Sequence, residues 1–91
     1  MRVIVFSKQY KKDYQKIKSQ KRNVEELNKI IKMLMNDETL PAAKKDHKLI
    51  GNYKGVRECH ISGDWLLVYS KEDGELQILN LLRINTHSEL F

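Results

Sequence analysis

The spacing of hydrophobic and polar positions along the chain changes once, at Pro41. Ahead of Pro41, the apolar run 3–6 predicts a buried strand, because β-branched and aromatic residues favour strands. Ser7 predicts the N-cap of a first helix, whose apolar stripe is Tyr10, Tyr14 and Ile17. Asn23 and Glu26 have the spacing of a capping box and predict a second helix. The apolar positions of that helix are Val24, Leu27, Ile30, Ile31 and Leu34.

Beyond Pro41, a connecting stretch leads to three strand-like runs, at 56–61, 65–70 and 76–83. The separators "SGD" and "KEDGE" contain the Gly and Asp residues that hairpin turns favour. After Asn85 the sequence predicts a short terminal helix with Thr86 as its cap. The order β-α-α-β-β-β-(α) predicts an α+β fold of two layers. In it, two N-terminal helices pack on a small, mainly antiparallel sheet.

Length and composition narrow the class of protein. A chain of 91 residues makes one domain, residues 1–91, around a single core. Cys59 is the only cysteine, so the chain has no internal disulfide and no Cys pair for a metal. The apolar run at the start is shorter than a signal-peptide core, and no later run approaches a membrane span. We therefore expect a cytoplasmic protein that does not enter a membrane.

Positive charge is concentrated in the first quarter of the chain. The net charge is +5, but residues 1–22 carry eight Lys or Arg residues and a single acid, Asp13. Such a block predicts binding to a polyanion, with nucleic acid first. A solvated helix face is an equally good explanation of the charge alone. The binding candidates are the lysines of the first predicted helix: Lys8, Lys11, Lys12, Lys16 and Lys18.

Five side chains could carry chemistry: His47, His60, Asp64, Arg83 and His87. Imidazoles exchange protons near neutral pH, a carboxylate accepts them, and a guanidinium binds phosphate with two N–H groups. Cleavage of RNA without a metal needs a base for the 2′-hydroxyl, an acid for the leaving 5′-oxygen and a cation for the phosphate. Strand alternation puts Glu58 and His60 opposite the core side of their strand, so we expect the site on the sheet face that the helices leave open.

Each of these candidates has a structural alternative. Trp65 and Phe91 could stack on unpaired bases, but a lone Trp in a small domain is more often a core residue. A single histidine is more often structural than catalytic, and Asp64 could simply form its turn. Three histidines and an aspartate could also bind zinc, although the chain has no HExxH or HxH spacing. From the residues alone, the function stays open.

Several motif blocks in the later part of the chain point to one family. The stretches are "DHKLIGNYKGVRECHISGDWLLVY" and, at the C-terminus, "LLRINTHSELF". In this order and at these separations, over about residues 40–91, they resemble the YafQ branch of the RelE-type toxins. Those toxins are ribosome-dependent mRNA endonucleases of bacterial type II toxin–antitoxin pairs. The first half of the chain agrees with the family in layout, with a strand followed by two helices.

The resemblance implies a role for each candidate residue. The implied catalytic residues are His47, His60, Asp64 and His87, with Arg83 on the scissile phosphate and with Trp65 and Phe91 placing the mRNA. We rank His87 first as the general acid and Asp64 or His60 as the base, with His47 supporting the phosphate or the proton transfer.

The resemblance also implies partners. The mRNA is cleaved in the ribosomal A site without a metal or other cofactor, and the lysines of the first helix meet ribosomal RNA. A small antitoxin wraps the toxin, and their complex binds operator DNA through the antitoxin. Two alternatives remain: a non-catalytic RNA- or DNA-binding module of the same fold, and a metal-dependent nuclease.

Overall fold

The computed structural model of the chain describes residues 1–20, 22–49 and 55–90. The helices are α1 (Lys8–Ser19), α2 (Val24–Met35) and α3 (His87–Leu90), with a short 3-10 helix at Ala42–Lys44. The strands are β1 (Val3–Phe6), β2 (His47–Lys48), β3 (Val56–Ser62), β4 (Trp65–Asp73) and β5 (Gln77–Thr86).

The strands form a five-stranded sheet in the order β1-β5-β4-β3-β2. β1 runs parallel to β5, and the other neighbouring pairs are antiparallel. The predicted α+β class with a mainly antiparallel sheet is therefore confirmed. The sequence does not predict β2, which has only two residues and pairs with β3 at one edge of the sheet.

Both long helices begin at the predicted caps. Ser7 Oγ accepts the Tyr10 N–H at 2.9 Å, and Asn23 Oδ1 accepts the Glu26 N–H at 3.2 Å. These bonds satisfy N–H groups that a helix leaves unpaired at its start, so short-range sequence is enough to position both N-termini. The Glu26 carboxylate lies 2.7 Å from Lys44 Nζ and ties α2 to the 3-10 helix.

The helices cover one face of the sheet and form the hydrophobic core with it. Helix residues of the core include Tyr10, Ile17, Leu27, Ile30 and Leu34, and strand residues include Cys59, Ile61, Trp65, Leu67, Tyr69, Leu79, Leu81 and Ile84. Leu66 and Val68 are also buried but lie outside this cluster. Because successive side chains of a strand point to opposite faces, Leu66 and Val68 belong to the second face of the sheet, together with Glu58 and His60.

The C-terminal strand is longer than predicted. β5 continues to Thr86, so Asn85 lies inside the strand and is 6% exposed. Thr86 then caps α3 as expected, because its Oγ1 accepts the Glu89 N–H at 3.3 Å. Within the described ranges, no helix is long and apolar enough to cross a membrane.

Candidate active site

The first titratable pair joins β2 to β3. His47 lies opposite Glu58 in the strand register, and its Nε2 is 2.9 Å from Glu58 Oε1. The second ring nitrogen, Nδ1, lies 3.0 Å from the carbonyl oxygen of Lys48. The His47 side chain is 49% exposed, whereas that of Glu58 is 9% exposed. A half-exposed imidazole is thus paired with a buried carboxylate.

His60 occupies the next position on the same face of β3 as Glu58. Its register partner on β4 is Leu66, whose own partner on β5 is Asn85. His60 and Asn85 are therefore two strands apart, or about 10 Å. Since His87 begins α3 directly after β5, this row of residues leads from His60 toward the C-terminal helix.

The β3–β4 turn brings Asp64 to the start of α3. The Asp64 carbonyl oxygen accepts the His87 N–H at 3.2 Å, so the turn and the C-terminal helix are joined through their backbones. Gly63 has a φ of +59°, which side-chain-bearing residues rarely adopt. The Asp64 side chain is 73% exposed and lies 3.3 Å from Arg22 Nη1. Asp64 and His87 are therefore adjacent at one end of the sheet.

Asp13 of α1 binds the Arg83 side chain. Arg83 Nε donates to Asp13 Oδ2 at 2.7 Å, and Arg83 Nη2 donates to Asp13 Oδ1 at 3.3 Å. The buried Asp13 also accepts the Ile84 N–H at 3.2 Å. The hydrogen bond to Asp13 raises the pKa of Arg83 above its ordinary value. The guanidinium is therefore a permanent cation whose position is set by α1, and the side chain remains partly exposed.

Trp65 lies in the core and not at the surface, where an RNA-stacking residue is expected. It is 1% exposed and belongs to the hydrophobic core. The prediction that Trp65 stacks on bases is therefore wrong for this structure, because an aromatic ring that is covered on all sides cannot receive a base. Arg22 lies over the ring, with Cζ 6.0 Å from the ring centroid. Trp65 instead supports the arginine that contacts Asp64.

The predicted basic surface is exposed. The five lysines face solvent along α1: Lys8, Lys11, Lys12, Lys16 and Lys18. Lys16 Nζ lies 3.4 Å from Glu89 Oε2 of α3, so the basic helix adjoins the C-terminal helix that carries His87. Phe91, the other predicted mRNA-positioning residue, lies outside the described residues.

A buried cysteine and a groove beside the helices lie outside the predicted catalytic site. Burial raises the pKa of the Cys59 thiol to about 12, so Cys59 is not a thiolate nucleophile at neutral pH. A groove of about 440 Å³ lies between β1, α1 and α2, lined by residues such as Phe6, Tyr14 and Ile31. It contains none of the candidate histidines. Among the described residues, no three His, Cys, Asp or Glu side chains are grouped as metal ligands.

Comparison with known families decides the class of the protein. The sequence profile of the family described as "Bacterial toxin of type II toxin-antitoxin system, YafQ" matches residues 2–91. The chain belongs to the YafQ toxin family. A curated relative, the mRNA interferase toxin YafQ of Escherichia coli K12, is 36% identical over 91 residues, or 99% of this chain and 96% of the relative.

Solved structures of similar toxins agree with the YafQ assignment. A copper-bound mutant toxin from Helicobacter pylori has a TM-score of 0.93 at 38% identity, with both chains fully covered. The E. coli DinJ–YafQ complex has a TM-score of 0.90 at 34% identity, covering 100% of this chain and 99% of that one. The resemblance found in the sequence and the predicted fold are thereby confirmed. The chain is the toxin of a type II toxin–antitoxin system.

Three residues of this YafQ-family site were not among the predicted site residues: Asp13, Arg22 and Glu58. Asp13 was visible as the only acid in a basic block, which is a signal that such a residue has a specific cationic partner. Glu58 is expected on the same strand face as His60, but its partner His47 is eleven residues away, in the stretch that the sequence predicts as a connection. Nothing in the sequence around Arg22 indicates its contact with Asp64.

Proposed function

We propose that this YafQ-family toxin is an mRNA endoribonuclease that cleaves codons in the ribosomal A site without a metal. The family description and the relatives named mRNA interferase toxin YafQ support cleavage of mRNA. One observation carries the assignment of the site. The backbone bond between His87 and Asp64 places these two residues next to each other at the end of β5, and an imidazole and a carboxylate are suitable groups for acid–base chemistry.

In the proposed reaction, the 2′-hydroxyl of the substrate loses its proton and attacks the adjacent phosphorus, while the 5′-oxygen of the next nucleotide leaves with a proton. His87 is the general acid for the leaving oxygen, and Asp64 or His60 is the base. Arg83 neutralises charge on the phosphate oxygens, and a cation fixed in place by Asp13 does so without reorganising. His47 supports the phosphate or the transfer of protons, and Phe91 helps to place the mRNA.

The exposed lysines of α1 are the proposed contacts to ribosomal RNA. Their contribution is electrostatic, so binding to ribosomes should weaken as salt rises. The cytoplasm is the proposed location, where ribosomes and mRNA are available. A cognate antitoxin is the proposed protein partner, as DinJ is for YafQ in the solved E. coli complex. The toxin–antitoxin complex then binds operator DNA through the antitoxin.

Cleavage of a defined mRNA on stalled ribosomes tests this function. Wild type and His87→Ala are compared by primer extension, each with and without a chelator. We expect cuts only on ribosomes, unchanged by chelator and reduced by about 10²–10⁴-fold in the variant. Loss of cutting in chelator would favour the metal-dependent alternative. Tight RNA binding with no cutting by folded wild type on several codons would favour the non-catalytic module.

A further inference from the structure

Glu58 is an unusual acid for a small domain. It is central in the sheet, since β2 and β4 pair with the two sides of β3, and only 7% of the residue is exposed. An ionised carboxylate is rarely buried unless several hydrogen bonds or a partner charge compensate it. One partner is present, the imidazole of His47 at 2.9 Å. The position of Glu58 is therefore tied to that histidine.

The second carboxylate oxygen of Glu58 is left uncompensated. Oε2 is buried and has no hydrogen-bond partner among the described residues. A carboxylate that served packing alone would be expected to have both oxygens satisfied or to be replaced by an apolar residue. Val68, its register neighbour on β4, offers it no polar group. An unsatisfied buried acid in direct contact with a candidate catalytic imidazole favours a role in the reaction over a role in folding.

The two contacts of His47 determine which of its nitrogens carries a fixed proton. The Lys48 carbonyl oxygen can only accept a hydrogen bond, so Nδ1, at 3.0 Å, must be the donor. Nδ1 therefore carries a proton, and Nε2 is the ring nitrogen that faces Glu58 Oε1 at 2.9 Å.

We propose that Glu58 is a positioning residue that orients the His47 ring for mRNA cleavage. This inference rests on the proposed function, because it gives His47 its place in the reaction. Glu58 acts through His47, whose ring it contacts across the β2–β3 pair. The half-exposed imidazole faces the solvent side, from which a phosphate or a 2′-hydroxyl would approach. Without Glu58, the edge strand β2 offers the ring only the Lys48 carbonyl oxygen.

A double-mutant cycle tests this relation through activity. Glu58→Gln, His47→Ala and the double variant are compared on stalled ribosomes, with Glu75→Gln, in the exposed β4–β5 hairpin loop, as the matched control. Since loss of a group that orients a metal-bound histidine typically costs about 10–100-fold, we expect Glu58→Gln to slow cleavage by a factor of that order. The double variant should be no slower than His47→Ala, and the control should match wild type. Independent, multiplying effects, or full activity of Glu58→Gln, would overturn the proposal.

A second measurement is independent of activity. Long-range ¹H–¹⁵N spectra report which ring nitrogen of a histidine is protonated, and thermal melts confirm that each variant is folded. In wild type, the Lys48 carbonyl oxygen should keep His47 Nδ1 protonated while Nε2 reports its contact with Glu58, and in Glu58→Gln the Nε2 shift should move while Nδ1 stays protonated. Identical ring-nitrogen shifts in the two proteins would refute the positioning role. If wild type fails to cleave mRNA but the spectra change as expected, the proposed function fails while the Glu58–His47 pair stands.

Discussion

Two charged clusters beside β4 differ in how completely their hydrogen bonds are satisfied. At one end, the buried Arg2 donates to Asp37 at 2.7 Å and to the carbonyl oxygens of Glu72 and Ile78, and its Nη2 lies 2.7 Å from Asp73. The second cluster runs from the His47–Glu58 pair, beside the middle of β4, to Asp64 just before its start, and in it Glu58 keeps a buried oxygen with no partner in the described part of the chain. We call these the Arg2 cluster and the catalytic end.

This difference distinguishes charged side chains that stabilise the fold from charged side chains that are proposed to act in the reaction. In the Arg2 cluster, each nitrogen of the guanidinium has an acceptor, so the cluster joins the N-terminus to the turn after α2 and to β4 and β5 through satisfied bonds. At the catalytic end, the half-exposed His47 is paired with Glu58, whose second carboxylate oxygen is buried and has no partner in the described part of the chain. Buried polar groups are normally satisfied, so an exception beside candidate catalytic side chains indicates where binding or chemistry takes place.

The largest expected effect is on stability and concerns Trp65, the apolar support of the catalytic end. Trp65→Ala should lower the free energy of unfolding by about 3–5 kcal/mol, because it leaves a large cavity in the core. Urea melts measure the loss, and Trp65→Phe, which keeps most of the buried ring, should lose less. If Trp65→Ala left the melt unchanged while cleavage disappeared, Trp65 would belong to the RNA surface after all.

Arg83 should show the next largest effect, this time on cleavage. Arg83→Ala should slow cleavage by about 10²–10³-fold, the cost of removing one preorganised group that stabilises charge in the transition state. Arg83→Lys should recover only part of the rate, since an ammonium cannot reproduce the forked contact with Asp13. Single-turnover cleavage on stalled ribosomes measures both variants. Equal rates for wild type and Arg83→Ala would limit Arg83 to its structural pairing with Asp13.

Unlike substitution of Arg83, substitution in the Arg2 cluster should lower stability and leave cleavage unchanged. Arg2→Ala removes a donor from two carboxylates and two carbonyl oxygens, although Lys71 still bonds Asp37. It should therefore lower the free energy of unfolding by about 2 kcal/mol, a value reduced by the solvent exposure of the two acids. Cleavage per folded molecule, measured well below the melting temperature, should match wild type. A variant that keeps its stability but loses cleavage would contradict the division of the molecule into two ends.

The sequence predicts local features of this fold well and non-local ones poorly. The caps at Ser7 and Asn23, like the β3–β4 turn at Gly63, depend on a few adjacent residues, and all three are confirmed. Strand β2 has no periodic pattern because it spans two residues, and it exists only because β3 provides an edge. The parallel pairing of β1 with β5 likewise joins residues about 75 positions apart.

The same distinction applies to the site. Residue types identified His47, His60, Asp64 and His87 as candidates, and the roles of all four stay predictions. The sequence could not reveal that Asp13 holds Arg83 or that Glu58 holds His47, because each of those pairs depends on tertiary contacts. Trp65 was misassigned for a related reason: an aromatic residue beside a turn reads equally well as a surface or a core position, and only packing distinguishes the two.

The smallest expected effect is the pH dependence of the stability that Asp37 contributes to the Arg2 cluster. Hydrogen bonds from Lys71 and Arg2 lower the pKa of Asp37 to about 2. Because the folded-state pKa is depressed, Asp37 contributes stability above its ordinary value near 4, and this contribution is lost as pH falls from about 4 to about 2. Asp37→Asn should therefore melt earlier than wild type at neutral pH, and the gap should close across that acid window. Because Asp37 is half-exposed, salt should shrink the gap as well. A gap that persisted unchanged at pH 2 would mean that the Asn side chain disturbs packing, and that the ion pairs of the Arg2 cluster contribute little.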